Sequence, residues 1–139
     1  MKHFFLDTNI LIDFLADRKP FSDQAAILFQ AANNKEARLY VAAISFNNVY
    51  YIVRQVNSHA KTMGLIKTLE KYVEIVTIDG AILKKAMASD FKDFEDAIQS
   101  FAAESVAEIE LIVTRNMKDF KKSKLPVFSP ESAIKLLSL

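Results

Sequence analysis

The chain has 139 residues, of which 51% are hydrophobic and 25% are charged, and its formal net charge at pH 7 is +1. We expect residues 1–139 to form a single domain with a sizeable apolar core, which excludes extensive disorder. Cysteine is absent, so disulfides and thiolate metal sites are excluded, and the near-zero charge provides no global field for nucleic acid. Because neither a signal sequence nor an apolar run of membrane length stands out, we expect a cytoplasmic protein.

Hydrophobic patterning predicts strands that alternate with helices along the chain. The apolar run at residues 4–6 predicts a fully buried strand at residues 3–6, and a short helix is predicted at residues 9–17. Ser22 or Asp23 is a candidate N-cap for a second helix, and Ser45 is one for the helix after the second strand. The other strands are predicted at residues 38–42, 73–78, 110–114 and 127–128, and the later helices at residues 60–72, 81–88, 93–107 and 130–137. This alternation predicts an α/β fold whose parallel sheet is covered on both faces.

Acidic and amide side chains occur where predicted strands end and where one helix begins. They are Asp7 after the first strand, Asp93 and Asp96 at the start of the helix before the fourth strand, and Asn116 and Asp119 after that strand. Because the carboxyl ends of parallel strands meet at one edge of a sheet, Asp7 and Asn116 are expected to share that edge, and Asp96 can be presented to it. Oxygen ligands without cysteine suit a hard cation, Mg²⁺ or Mn²⁺, which supports phosphoryl-transfer chemistry.

Each of these residues also has a purely structural interpretation. Asp7 could cap the helix that follows it. Asp93 stands at a helix start, where the helix dipole favours acids, and Asp96 could complete the same cap. Asn116 and Asp119 could be turn formers. These residue types and positions leave both interpretations open.

Basic residues flank the last of these segments. Arg115 and Lys118 are candidates to contact substrate phosphates, and further lysines follow at Lys121, Lys122 and Lys124. The alternative is a solvated loop, in which such a cluster has no binding role.

Three segments together resemble the PIN-domain nucleases, and among them the VapC-like toxin subgroup. They are residues 5–13 (FLDTNILID), 93–97 (DFEDA) and 112–120 (IVTRNMKDF). The resemblance extends over essentially the whole chain and implies a three-layer α/β/α sandwich with a central, mostly parallel five-stranded sheet. It also implies a Mg²⁺- or Mn²⁺-dependent ribonuclease. Many small bacterial members are toxins of type II toxin–antitoxin pairs, often dimeric and neutralised by a small antitoxin.

The resemblance further assigns roles to individual residues. The catalytic positions it implies are Asp7, Asn48, Asp96 and Asn116. The polar positions that it implies beside the metal and the RNA substrate are Thr8 or Asn9 and Ser45. The candidate substrate contacts Arg115 and Lys118 come from the basic cluster and not from the resemblance. The metal ligands it implies are Asp7, Asp93, Asp96, Asn116 and Asp119, with Glu95 as a further supporting acid.

One position departs from the family pattern. Many PIN domains carry a glutamate in the helix after the second strand, and residues 47–51 of this chain read NNVYY, with Asn48 at that place. An amide oxygen can coordinate a cation, but it adds no negative charge and is a poor base. Because Asn116 is also neutral, we expect metal binding to be weaker than in a site with four acids, and activity to be low or absent.

The leading hypothesis is a metal-dependent endoribonuclease that hydrolyses RNA phosphodiester bonds through a cation held by Asp7 and Asp96. The alternative is a catalytically weak or inactive PIN fold that binds RNA or a protein. A haloacid dehalogenase-type phosphatase needs a second aspartate two residues after the first, and this chain has Asn9 there. Glycine-rich nucleotide-binding motifs are absent, which argues against nucleotide cofactors.

Overall fold

The computed structural model describes residues 1–137. Within these residues the chain forms five strands, seven α-helices and one 3₁₀ turn. In chain order they are β1 (Lys2–Leu6), α1 (Thr8–Leu15), α2 (Phe21–Asn33), β2 (Ala37–Ala42), α3 (Ala43–Arg54), α4 (His59–Glu70), β3 (Val73–Val76), α5 (Gly80–Met87), α6 (Phe94–Glu104), β4 (Leu111–Val113), the 3₁₀ turn (Met117–Phe120), β5 (Val127–Phe128) and α7 (Pro130–Leu136). Among these helices, none is long and apolar enough to cross a lipid bilayer.

The five strands are all parallel and lie in the order β3-β2-β1-β4-β5. The chain adds β2 and β3 on one side of β1 and then returns to place β4 and β5 on the other side. The winding direction therefore reverses between β1 and β4, where Leu6 lies beside Val113. Open parallel sheets bind their ligands at the carboxyl ends of the strands that flank such a reversal. The predicted α/β/α sandwich with a five-stranded sheet is confirmed.

The sheet divides the core into two apolar layers. Phe4 and Leu6 of β1 belong to the layer covered by α1, α2, α3, α4 and α7, whereas Phe5 belongs to the layer covered by α5, α6 and the 3₁₀ turn. All three side chains are fully buried, because successive residues of a strand point to opposite faces and both faces carry helices. A strand segment that is buried on both sides has to be a continuous apolar run, which is the pattern seen at residues 4–6.

Local capping fixes four of the helix starts. A side-chain oxygen accepts a hydrogen bond from a backbone N–H in the first turn of α4, α5, α6 and α7, and the capping residues are Ser58, Asp79, Asp93 and Ser129. Each satisfies a donor that the first turn of a helix leaves unpaired. These helices begin at or next to their predicted first residues.

Two predicted caps are wrong. Helix α2 begins at Phe21, ahead of Ser22 and Asp23, and no side-chain cap bond is formed there. Helix α3 begins at Ala43, so Ser45 lies inside the helix. Ser45 is fully buried, and its hydroxyl contacts Thr8. A tertiary contact has therefore replaced the local bond that the sequence pattern predicts.

Candidate active site

Asp7 lies at the carboxyl end of β1, at the reversal point of the sheet, and is only 6% exposed. Although it stands at the N-cap position of α1, its side chain makes no capping bond. Its carboxylate instead accepts hydrogen bonds from Gln99 Nε2 at 3.0 Å and from Thr114 Oγ1 at 2.7 Å. Burial raises the pKa of Asp7 above its usual range, although the bonds from Thr114 and Gln99 oppose this. The capping interpretation of Asp7 is therefore wrong, and the fold holds a carboxylate in a place where its charge is costly.

The amide of Gln99 has only one orientation that suits both of its partners. Its Oε1 accepts the backbone N–H of Thr8 at 3.2 Å, and its Nε2 donates to Asp7. A backbone N–H can only donate and an ionised carboxylate can only accept, so the two amide atoms cannot be exchanged. Gln99 is fully buried in α6 and thus ties that helix to the end of β1.

A second set of contacts surrounds the hydroxyl of Thr8. Thr8 Oγ1 lies 2.7 Å from Ser45 Oγ and 3.0 Å from Glu95 Oε2. Because an ionised Glu95 can only accept, Thr8 donates its single hydroxyl proton to Glu95, and Ser45 donates to Thr8. This chain of bonds joins α3, α1 and α6 at the carboxyl edge of the sheet.

Asp96 lies among the other acidic side chains of the site. Its pKa is raised to about 7, first by burial and then by the charges of four neighbouring acids, which are Asp93, Asp7, Asp119 and Glu95. Residues from β1, from the first turn of α6 and from the 3₁₀ turn are therefore close enough for their charges to interact. Asp93 also caps α6, because its Oδ1 accepts the backbone N–H of Asp96 at 3.0 Å, which confirms the structural interpretation of that residue. Its metal-binding role stays a prediction.

A cleft of about 560 Å³ opens beside Asp96 and carries charges of both signs. Its acids are Asp90, Asp93, Asp96 and Asp119, and its lysines are Lys92, Lys118, Lys121 and Lys122. The size is that of an ordinary ligand site. Lys118 lines this cleft together with Asp96, and its contact with substrate stays a prediction. Asn116 is exposed, and its backbone N–H donates to Thr114 Oγ1 at 3.0 Å.

Arg115 lies away from this cleft and has a partner of its own. Its Nε and Nη2 donate to the two carboxylate oxygens of Asp13 at 2.6 and 3.1 Å, and its guanidinium lies 3.9 Å from the centre of the Phe21 ring. Asp13 is 1% exposed, so the pair joins α1 to the segment after β4 in a largely dry environment. The structure thus gives Arg115 a structural partner, and its predicted contact with substrate remains untested.

The asparagines at positions 9 and 48, both predicted to belong to the site, differ in their surroundings. Asn48 is half-buried in α3, three residues after Ser45 and so on the same side of that helix. Asn9 lies in α1, and its Oδ1 is buried without a hydrogen-bond partner among the described residues. A buried oxygen without a donor is costly, which marks Asn9 as a place where a water or a ligand would be stabilised.

Sequence reasoning missed two residues that hold Asp7. Gln99 follows Asp96 by three residues and so lies on the same face of α6, a spacing that marks it as a neighbour of the acidic motif. Thr114 ends the apolar run of β4 just as Asp7 ends β1, and the parallel register of the two strands brings them together. Both features are present in the sequence, but neither predicts a contact with Asp7 until the neighbouring strand or helix is known.

We expect Asp96→Asn to stabilise the protein in the absence of divalent cations. With an unfolded pKa near 3.8 and a folded pKa of about 7, the wild type loses stability as pH rises from 4 to 7, because the unfolded chain ionises first. After allowance for solvent screening of this half-buried carboxylate, the gain above pH 7 should be about 1–2 kcal/mol, and it should vanish near pH 4. Urea unfolding at pH 4 and pH 8 measures it. Asp90→Asn, in the same cleft, is the control, and equal stability of Asp96→Asn and wild type at pH 8 would contradict the prediction.

Comparison with known proteins agrees with this geometry. A family profile described as PIN domain matches residues 3–118, and no curated protein matches the chain. A toxin–antitoxin complex from Klebsiella pneumoniae is 25% identical, with a TM-score of 0.65 and coverage of 91% of this chain and 96% of that chain.

Two further solved structures share the fold at lower identity. DNA-bound VapBC from Salmonella typhimurium is 15% identical with a TM-score of 0.69, covering 94% of this chain and 99% of that chain. VapC20 from Mycobacterium tuberculosis, described as a sarcin–ricin loop cleaving toxin, is 14% identical with a TM-score of 0.59, covering 78% and 86%. The profile match over most of the chain, together with the VapC-like fold, shows that this protein belongs to the PIN-domain family.

Proposed function

We propose that this protein is a divalent-cation-dependent endoribonuclease and the toxin of a toxin–antitoxin pair. The observation that carries the proposal is the convergence of Asp7, Glu95 and Asp96 at the reversal point of the sheet of a PIN domain. Burial and the charges of neighbouring acids raise the pKa of Asp96, and burial and the charge of Glu95 raise the pKa of Asp7. A bound cation would relieve this arrangement. Membership of the family and the neighbouring toxin structures support the nuclease assignment.

The donor set suits Mg²⁺ or Mn²⁺. Carboxylate, amide and hydroxyl oxygens are hard ligands, and Asn9 Oδ1 is a buried oxygen without a donor among the described residues. Within residues 1–137 no three acidic or histidine side chains gather into a complete cage. A cation would therefore be held by Asp7, Asp96 and water, which is the usual mode for Mg²⁺.

Different residues would have different roles in hydrolysis. A bound cation supplies charge neutralisation at the phosphate and a more acidic attacking water. Asp7 is held in one orientation by Gln99 and Thr114, so that it would enter the reaction without rearranging. Lys118, with the other lysines of the cleft, would bind the RNA backbone next to the acids.

Metal dependence is the first test. We expect the protein to cleave total bacterial RNA in the presence of Mn²⁺ or Mg²⁺ and to lose all cleavage in EDTA, because the acids alone cannot neutralise a phosphate. Gel analysis of the RNA measures cleavage, and readdition of Mn²⁺ after EDTA treatment is the control. Cleavage that persists in EDTA would contradict the proposed chemistry.

A second candidate function is a PIN fold that binds RNA or protein without cleaving it. The neutral side chains at Asn48 and Asn116 favour it, because each occupies a position where the family often carries an acid. Calorimetric titration separates the two functions, since a site that does not fill at millimolar Mn²⁺ supports binding only.

The variant Asn48→Glu tests whether position 48 belongs to the metal site. We expect it to tighten Mn²⁺ binding by about 10-fold, because it adds a carboxylate to the site. Its neighbour Asn47 is exposed on the same helix, so Asn47→Glu is a matched control for the added charge. If Asn48→Glu and Asn47→Glu bind Mn²⁺ equally, Asn48 lies outside the site.

The proposed partner is an antitoxin protein, and the proposed assembly is a homodimer. The Klebsiella pneumoniae structure is a toxin–antitoxin complex, which supports an antitoxin here. The last turn of α3 and the segment that follows it expose apolar side chains, with Tyr51 65% and Val56 84% accessible. Apolar groups exposed together often become buried in an interface.

A further inference from the structure

We infer that Phe91 is a base-stacking residue of the cleft beside Asp96, so that this cleft receives an unpaired nucleotide of the RNA strand. The inference rests on the proposed function and names the part of the substrate that the cleft would bind. It starts from the composition of the cleft wall. Among the described residues that line the cleft, Phe91 is the one apolar side chain, and the other eight are charged.

The charged side chains of the cleft balance one another. The wall carries four aspartates and four lysines, so it has no excess of positive charge with which to attract a polyanion. The lysines can contact phosphates, but the aspartates repel them. An uncharged contact would strengthen the binding of a strand here. An aromatic ring supplies such a contact, because every base has a face on which it can stack.

Phe91 is held in place by both its ring and its backbone. The centre of its ring lies 6.1 Å from that of Phe101 in α6, at an interplanar angle of 61°. Its backbone N–H donates to Ser89 Oγ at 3.4 Å, and that hydroxyl donates to the carbonyl of Ala86 in α5 at 2.8 Å. Phe91 is half-buried and packs against the apolar layer under α5 and α6. A side chain that is already ordered loses little conformational entropy when a base stacks on it.

The segment that carries Phe91 leads directly to the acids of the site. Asp93 follows it by two residues and caps α6, and Asp96 follows in the first turn of that helix. Asp96 and Phe91 line the same cleft. A nucleotide whose base stacks on Phe91 would therefore lie next to the phosphate that a cation at Asp7 and Asp96 would hold.

This arrangement favours single-stranded RNA over a duplex. Inside a duplex, neighbouring bases cover both faces of each base, so a protein ring can stack on it only after it has left the helix. In loops and single strands the bases can be splayed out onto aromatic side chains. A stacking contact at Phe91 would therefore direct the site to unpaired regions of an RNA.

The test is the binding of the full chain to a fluorescently labelled RNA oligonucleotide, offered as a single strand and as a duplex of the same sequence. Fluorescence anisotropy in EDTA measures the affinity, because the proposed chemistry leaves the RNA intact without a cation. We expect Phe91→Leu to weaken binding of the single strand by about 5–100-fold, the effect of losing one stacked base. Binding of the duplex should not change. Phe91→Tyr keeps the aromatic face and should bind both forms as the wild type does.

Phe101→Leu is the matched control, because it removes the other ring of the same pair and Phe101 is not among the residues that line the cleft. It should bind both RNAs as the wild type does. Wild-type affinity of Phe91→Leu for the single strand overturns the inference, and cleavage of RNA by the wild type in Mn²⁺ then leaves the proposed nuclease standing. Equal losses in Phe91→Leu and Phe101→Leu also overturn it, since the ring would then serve packing alone. A wild type that neither binds nor cleaves RNA overturns both the inference and the proposed function.

Discussion

Arg115→Ala should lower the free energy of unfolding by about 3–5 kcal/mol, because it leaves a buried charge without its partner. Asp13 is 1% exposed and receives two hydrogen bonds from the guanidinium. Arg18 contributes only a 4.0 Å contact to the same carboxylate and cannot replace that bidentate geometry. The stacking of Arg115 on Phe21 is lost as well.

Urea denaturation followed by circular dichroism measures this loss. Arg54→Ala is the matched control, since Arg54 is exposed and its Nη1 donates only to the carbonyl of Asn57. Its effect should stay within about 0.5 kcal/mol. Asp13→Asn combined with Arg115→Ala should be more stable than Arg115→Ala alone, because no unpaired charge remains. A loss below about 1 kcal/mol in Arg115→Ala would mean that the pair is not dry in solution.

Asp7→Asn should reduce RNA cleavage by about 100-fold or more, which is the scale expected when one preorganised electrostatic group is removed. The fold should be retained, because the new side chain can satisfy the same partners. Its oxygen can accept from Gln99 Nε2, and its amide can donate to Thr114 Oγ1. Loss of a buried charge should also leave the metal-free protein at least as stable as the wild type.

Initial rates of RNA cleavage in Mn²⁺, with a thermal melt of each protein, separate chemistry from stability. Asp23→Asn removes a carboxylate of the exposed ion pair with Lys19 and should leave the rate unchanged. If Asp7→Asn is folded and cleaves as fast as the wild type, Asp7 does not take part in the reaction. If Asp7→Asn and Asp23→Asn lose activity equally, the loss is not specific to Asp7.

Two strands end earlier than the sequence pattern predicts. The pattern predicts strands at residues 73–78 and 110–114, but β3 ends at Val76 and β4 at Val113. Val76 pairs with Ala42, the last residue of β2, and Val113 pairs with Leu6, the last residue of β1. A strand continues only while its neighbour offers backbone partners, and the neighbour's length is not encoded in the local pattern.

In the candidate site, too, some residues can be predicted from the sequence and others cannot. Asp7 and Asp96 are recognisable in the sequence because each occupies a defined place, one after a buried strand and the other in a helix's first turn. Gln99 and Thr114 cannot be recognised in this way, because they donate hydrogen bonds to Asp7 from positions 92 and 107 residues further along the sequence. The ion pair of Arg115 with Asp13 could not be predicted either, because the two residues are 102 positions apart in the sequence.

The class of fold, the order of its elements and the acids at the ends of those elements can be predicted from the amino-acid sequence alone. These features depend on periodicity and on contacts between near neighbours in the chain. Which polar groups meet depends on the folded arrangement of the helices, because hydrogen bonds such as that from Thr8 to Glu95 join helices that are distant in sequence. The tertiary structure has a further effect on the charge of the site. It also raised the pKa of Asp96, since burial and neighbouring charges exist only after the sheet has brought the segments to one edge.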